Sequence, residues 1–310
     1  YGRIVTGFTF AFMLQNVFQS FFIAAEKPRL GLFVTVAAGV TNMVLDALFM
    51  AVFKWGVAGA AIATGLSQCV GGVLPLIYFL RPNSSLLRLR PTALRLRPIL
   101  QACGNGSSEL MGNISSSLVG MLYNFQLLRL IGEDGVSAYG VLMYVQFIFV
   151  AIFIGYSIGC APVVSFHYGA GNQNELKSLL RKSVLLMGLG GVALTAAAML
   201  LASPLAKLFV GYDADLYALT THAFRLFSWS FLLAGFNIFA SGFFTALNNG
   251  AVSAIISFLR TLVFQAGSVI ILPLLLDVDG IWYAITSAEI FAFIISCTFL
   301  LAKRNKYHYM

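Results

Sequence analysis

Charge is what this sequence has least of. Only 10% of its 310 residues are Asp, Glu, Lys or Arg, against 59% hydrophobic residues; a soluble domain carries about 25% charged residues. So few charges cannot cover a water-facing surface. Cysteine is scarce as well. Cys69, Cys103, Cys160 and Cys297 lie within or at the edge of apolar stretches and form no C-x-x-C pair. They read as small buried apolar groups rather than as metal or redox centres. No Walker A sequence occurs, and the G-x-G of Gly169-Ala170-Gly171 lacks both a G-x-x-G continuation and a βαβ context, so no bound nucleotide supplies energy. His167, in His167-Tyr168-Gly169-Ala170-Gly171-Asn172, has no second histidine nearby and is read as part of a loop, not as a metal ligand. No interface gathers the His, Asp or Glu cluster that a membrane-embedded transferase needs, so an enzyme is not expected. The chain begins Tyr1-Gly2-Arg3, without an initiator Met, and we expect it to be incomplete.

What is abundant is long apolar runs. About 20 apolar residues cross the hydrocarbon layer as a helix, and runs of that length recur along the whole chain without the strict alternation of a barrel strand. The expected fold is all-α, a polytopic membrane helix bundle. Nine spans are read, at about 4–25, 31–53, 57–80, 98–130, 137–160, 179–202, 217–247, 250–275 and 279–302. The longest polar break, 81–97, holds Arg81, Arg88, Arg90, Arg95 and Arg97 with Pro82 and Pro91. It is the expected linker between a partial N-terminal lobe (1–80) and a C-terminal lobe (98–310).

The formal charge of +8 has no basic face or aromatic platform with it, so nucleic acid is not an expected partner. The basic residues instead sort by side. Numbering the loops alternately, one side holds Lys27, Arg29, the five linker arginines, Lys177, Arg181, Lys182, Lys303, Arg304 and Lys306, thirteen in all. The other holds Arg3, Lys54, Arg129 and Lys207. The thirteen-residue side should be cytoplasmic, with the linker and the C-terminus on it.

Transporters are commonly built from repeats. Residues 22–63 align with 243–284 at an offset of 221, with Phe22/Phe243, Ala25/Ala246, Gly59/Gly280 and Ala63/Ala284 shared. Spans 1–3 then match spans 7–9, and three helices matching spans 4–6 are expected upstream.

A charge at the bilayer centre costs ~2.5–3.5 kcal/mol on insertion scales, so charges inside spans are the candidate functional residues. They are Asp46, Glu109, Glu289, Arg260 and Arg225. Asn105, Glu109, Gly112, Ser116, Gly120 and Asn124 step by three or four and share one helix face. Tyr123 lies beside the end of that stripe, and Asn113 falls on the same span. The stripe either lines a cavity or packs closely against a neighbour through hydrogen bonds. A carboxyl at Glu109 would suit exchange of a proton for a cationic ligand or Na⁺. Asp46 follows Asn42 by one turn and is either a fixed interhelical hydrogen bond or an ion ligand. Arg260 could neutralise a carboxylate, and Glu289 is the expected one. Arg225, near the outer start of its span, snorkels.

Several stretches resemble the multidrug and toxic compound extrusion (MATE) family. They are Pro28-Arg29 and Asn42-Met43-Val44-Leu45-Asp46, then Trp55-Gly56-Val57-Ala58-Gly59, Asn105-Gly106-Ser107-Ser108-Glu109, Ile154-Gly155-Tyr156 with Pro162, Tyr168-Gly169-Ala170-Gly171-Asn172, and Leu259-Arg260 through Gly280-Ile281-Trp282-Tyr283-Ala284 and Glu289. The resemblance covers essentially the entire chain. It implies a two-lobe, twelve-helix secondary exporter, of which this chain supplies the fourth to twelfth helices. It implies antiport of organic cations or amphipathic drugs against Na⁺ or H⁺, with no other cofactor, by a monomer in the plasma membrane. A carboxylate that several members carry near 234–237 is absent here, and Asn237 would supply a neutral ligand instead. The alternatives are a lipid-linked oligosaccharide flippase of the same superfamily, which needs a cationic cavity, or a non-transporting membrane scaffold.

Overall fold

The computed structural model describes every residue except Tyr1, Leu86, Pro91, Thr92, Leu94 and Met310, and the side chains of Asn105 and Ser108 also lie outside the described residues. All regular structure among the described residues is helical. The chain divides into two compact units, 1–94 and 95–310.

The first unit holds α1 (Gly2–Gly7), α2 (Thr9–Ala24), α3 (Pro28–Asp46) and α4 (Gly56–Leu80). Pro28 opens α3 at its first turn, where a missing N–H costs nothing. Beyond Asp46 the same rod continues as a π-helix over Ala47–Val52. The second unit holds α5 (Leu96–Leu130), α6 (Glu133–Gly169), α7 (Gln173–Val210), α8 (Ala214–Phe227), α9 (Phe231–Ala246), α10 (Gly250–Phe258), α11 (Gln265–Ile271) and α12 (Pro273–Tyr307). A π-helical segment, Leu259–Phe264, joins α10 to α11. Side chains cap three of the helix starts: Asn172 accepts from Glu175 N, Asp213 from Asp215 N and Leu216 N, and Asn249 from Val252 N. Each satisfies N–H groups that the first helical turn leaves without partners.

The expected spans are present as rods, and among the described residues seven helical stretches are long and apolar enough to cross a membrane. The other two differ for physical reasons. α2 is only 16 residues long, and α5 carries the polar stripe. Several helices outrun the spans expected for them, because nothing stops a helix at the edge of the hydrocarbon. α6 runs on through Gly169, so His167 lies in its last turn rather than in a loop, and the turn is made by Gly171 at φ 67°. Large apolar side chains face outward, among them Phe147, Leu185 and Leu200. Such a surface is stable against lipid and not against water.

α9 runs through the core of the second unit. An added Cβ at Gly191 of α7 would sit 2.5 Å from the Leu232 carbonyl oxygen of α9, so a side chain there would hold the two backbones apart. At the far end, Asn249 donates to Tyr307 Oη (2.8 Å) and Tyr309 Oη donates to the Leu300 carbonyl (2.9 Å). Burial pushes the Tyr309 phenol up from its ordinary range, with Tyr307 alongside adding to the effect.

The two units contain the same three-helix hairpin. Four backbone hydrogen bonds recur 222 residues on. Ala25 N→Phe21 O matches Leu247 N→Phe243 O, Glu26 N→Ile23 O matches Asn248 N→Thr245 O, Lys27 N→Phe22 O matches Asn249 N→Phe244 O, and Gly31 N→Lys27 O matches Ser253 N→Asn249 O. Side chains repeat as well. Thr35 donates to Gln19 (3.0 Å), and the residues 222 further on, Ser257 and Ser241, bond at 2.9 Å. In α4 and α12 the register becomes 221. Gly59/Gly280, Ala61/Trp282, Ala63/Ala284, Gly71/Ala292, Pro75/Ser296 and Phe79/Leu300 are buried in both copies. The register of 221 read from sequence identities is therefore one residue short across the first two helices. The tandem Phe243-Phe244 made the neighbouring registers look alike.

Candidate functional site

In the second unit a charged cluster ties three elements together. Arg260 sits in the π-helical segment. Its Nε donates to both oxygens of Glu289, at 2.9 Å to Oε1 and 3.1 Å to Oε2, and its Nη2 donates to Oε1 at 2.6 Å. Asn237 of α9 donates from Nδ2 to Glu289 Oε2 (2.7 Å) and to the Glu289 carbonyl (2.9 Å). Ser296, two turns along α12 from Glu289, donates to Asn237 Oδ1 at 3.2 Å. The Glu289 side chain is 3% exposed and that of Arg260 18%; Asn237 and Ser296 are fully buried. Both carboxylate oxygens therefore hold two donors each. A bidentate guanidinium–carboxylate contact of this kind is among the stronger hydrogen-bonded pairs in proteins. Sequence spacing placed Arg260 and Glu289 opposite each other; the part played by Asn237, a bond to that carboxylate, was not visible in it. Arg225 is exposed.

The first unit holds its charge differently. Asp46 and Asn42 lie one turn apart on α3, and Asp46 is the last residue before the π-helix. Asp46 Oδ1 and Asn42 Nδ2 are both buried and have no hydrogen-bond partner. A fixed interhelical hydrogen bond to that oxygen, one of the two readings above, is thus not made. Gln68 Oε1 on α4 is buried and unpartnered in the same unit. Sequence reasoning passed over Gln68, though an amide in an apolar span was the signal. Buried polar groups are nearly always paired; the second unit also holds buried atoms without a partner, among them Thr195 Oγ1, Thr220 Oγ1 and Trp282 Nε1, so what sets Asp46 apart is that its atom belongs to a carboxylate.

The α5 stripe faces away from its own unit. Ser115, Val119, Tyr123 and Leu127, spaced by four, are the buried face. Glu109, Asn113, Ser116 and Asn124 are exposed. An added Cβ at Gly112 or Gly120 would meet nothing within 4 Å, so these glycines do not serve close helix packing. Asn113 donates to the Glu109 carbonyl at 2.9 Å, leaving the Glu109 carboxylate to the open side. The side chain of Asn105 lies outside the described residues. Tyr123 is not on the open face; it is 2% exposed and stacks on Tyr139 at 4.8 Å. Asn124 lies at a cleft of about 380 Å³ lined also by Phe125, Leu128, Glu133, Val136 and Ser137.

Comparison with known proteins identifies this arrangement. The MatE family model matches residues 110–270, just over half of the chain. The chain belongs to the MATE family. Curated relatives agree with that placement. Multidrug export protein MepA of Staphylococcus saprophyticus is 24% identical over 277 residues, which is 87% of this chain and 58% of the relative. MepA of Staphylococcus haemolyticus is 21% identical over 303 residues, 95% of this chain and 64% of the relative. The chain thus spans about three fifths of the length of these curated MATE relatives. Solved structures share the fold. MATE in complex with MaL6 superposes with a TM-score of 0.93 at 20% identity, covering 100% of this chain and 70% of that one. The outward-facing conformation of a multidrug resistance MATE family transporter gives 0.92 at 22% identity, with the same coverage. The protein is a multi-pass membrane protein of a transporter family.

Proposed function

We propose that this MATE chain exports amphipathic organic cations from the cell in exchange for Na⁺ or H⁺, and that Asp46 with Asn42 takes the coupling ion. One observation carries the reading: a carboxylate oxygen buried in an apolar span with no protein partner, one turn from an amide that also lacks one. Holding that geometry without a ligand is costly, and a small cation entering it relieves the cost. An Asn side chain offers its oxygen to a cation by turning its amide over. The names of the MepA relatives support multidrug export as the direction and cargo. The open face of α5 supports the route: Glu109 supplies negative charge there, and Asn124 with Phe125 supplies an amide and an aromatic surface suited to flat cations. The thirteen basic residues on one side support a cytoplasmic linker and C-terminus in the plasma membrane.

The flippase alternative wants an uncompensated intramembrane cation for pyrophosphate. Arg260 is instead bound by Glu289, and no observation favours that reading. The test is accumulation of a fluorescent organic cation such as ethidium in cells expressing the protein. The expected result is lower accumulation than in control cells, abolished by Asp46→Asn. Efflux by Asp46→Asn equal to that of the native protein would overturn the assignment of the ion site.

A further inference from the structure

The geometry points to Arg260 as a tethered counter-cation: its guanidinium fills, from within the chain, a seat on Glu289 and Asn237 that would otherwise take a free monovalent cation. The second unit thereby carries a closed ion site, and the exchangeable ion is left to the first. The inference rests on the reading of Asp46 given above for its second half only; the claim about Arg260 stands on its own geometry.

Each unit has an acid within a membrane span, Glu289 buried and Asp46 half-buried with its Oδ1 enclosed, and the two acids are treated in opposite ways. Registering the copies gives 237 − 222 = 15, 260 − 222 = 38 and 289 − 221 = 68. Where the second unit has Asn237, Arg260 and Glu289, the first has Gln15, Ala38 and Gln68. In the other direction, the π-helical segment Leu259–Phe264 interrupts the register beyond Ser257, and 264–271 holds no acid to match Asp46. Each copy folds without the other copy's charges, and neither charge set is therefore demanded by the hairpin. In the second unit the acid has four donor contacts and a cation fixed to the backbone. In the first, Asp46 Oδ1 has none, and the position matching Arg260 is Ala38, which has no side chain to reach a carboxylate. The asymmetry is what a two-lobed exchanger needs if only one lobe is to be loaded and unloaded by an ion. A guanidinium is permanently charged and cannot diffuse away, so it keeps the second seat filled through every turn of the cycle.

The experiment measures thermal unfolding of the full chain in detergent micelles, followed by tryptophan fluorescence, across a NaCl series at constant ionic strength held with choline chloride. Everything is done in an Asp46→Asn background, so that the first unit contributes no response. Four proteins are compared: the background alone, and the background with Arg260→Ala, with Glu289→Gln, and with both. The background alone should be insensitive to Na⁺. Adding Arg260→Ala should open the seat. Its midpoint should rise by roughly 3 °C for each tenfold increase in Na⁺ above half-saturation, and low millimolar methylguanidinium should act the same way. The double substitution reproduces the Ala38/Gln68 pairing of the first unit. It should fold and respond to neither cation.

A packing role for Arg260 predicts no cation response in any of these proteins. The proposal is overturned if the Arg260→Ala protein is folded and unresponsive to both cations, or if its response survives Glu289→Gln. It is also overturned if Arg260→Ala fails to give a monodisperse protein with methylguanidinium present throughout solubilisation, or if the double variant does not fold. The Asp46 reading is judged separately, by whether Na⁺ stabilises the native protein more than Asp46→Asn.

Discussion

Replacing Glu289 by Gln keeps the side chain's shape and removes its charge, and the structure gives a size for the damage. The carboxylate accepts at 2.6 and 2.9 Å on Oε1 and at 2.7 and 3.1 Å on Oε2. A Gln oxygen in the Oε1 position keeps the two contacts to Arg260. Its amide nitrogen then faces Asn237 Nδ2 and Arg260 Nε, so the two bonds that Oε2 accepted become two donor–donor clashes. Breaking a buried ion pair on one side costs about 3–5 kcal/mol. Arg260, at 18% exposure, recovers part of its hydration, which places the expected loss near the lower bound, about 3 kcal/mol. At about 2–4 °C per kcal/mol, the unfolding midpoint in detergent should fall by roughly 6–12 °C. Trp282 is the natural probe, since it is buried on α12 two turns from Glu289. Arg260→Ala combined with Glu289→Gln should recover more than half of the loss, because no buried charge is then left alone. A single Glu289→Gln within about 2 °C of the native midpoint, under 1 kcal/mol on that scale, would refute the reasoning. So would a double variant less stable than the single.

Three further outcomes follow from the same geometry. Glu109→Gln should weaken ethidium efflux while leaving the unfolding midpoint within about 2 °C, about 1 kcal/mol, because its carboxylate faces away from the packed side of α5; equal efflux would remove Glu109 from the route. Gly191→Ala should lower the midpoint by an amount set by an overpacking cost of about 1–3 kcal/mol, since the added carbon meets the Leu232 carbonyl of α9; an unchanged midpoint in the same unfolding assay would show that α7 and α9 can separate freely. Asp279→Asn should cost no more than about 1 kcal/mol. Its 2.8 Å contact to His222 joins two side chains that are both about half exposed, and a larger drop in the same assay would give that contact a structural weight its exposure argues against.

How much could be read beforehand follows the physics of the bilayer. The helical rods were legible because apolar length is dictated by the thickness of the hydrocarbon. Their ends were not, because a helix leaving the hydrocarbon meets no penalty for continuing, as α6 does through His167. The pairing of Arg260 with Glu289 was legible because a cation buried in oil needs an anion nearby. The openness of the α5 stripe was not. Small and polar residues at a spacing of four serve a close interface and an open face equally well, and only the empty space at Gly112 and Gly120 separates the two. The place of Asn237 was hidden for a related reason. A lone amide in an apolar helix announces a partner without naming it.

The internal repeat sorts polar residues by what they are for. The contact between the first two helices of each hairpin is kept in both copies, as Gln19–Thr35 in one and Ser241–Ser257 in the other, although the residue types differ. A polar contact that survives such a change of chemistry is doing the same mechanical job twice, holding two helices together where hydrophobic attraction is absent. The charges behave in the opposite way. Asp46 has no acidic counterpart in 264–271, Arg260 corresponds in register to Ala38, and Glu289 to Gln68. Because one copy always folds without the charge, its presence in the other has to be explained by something other than folding. Substitutions at the shared contacts should therefore register first in stability, and substitutions at the copy-specific charges first in ion dependence. Glu289, carrying both a charge and a structural bond from Asn237, should register in both.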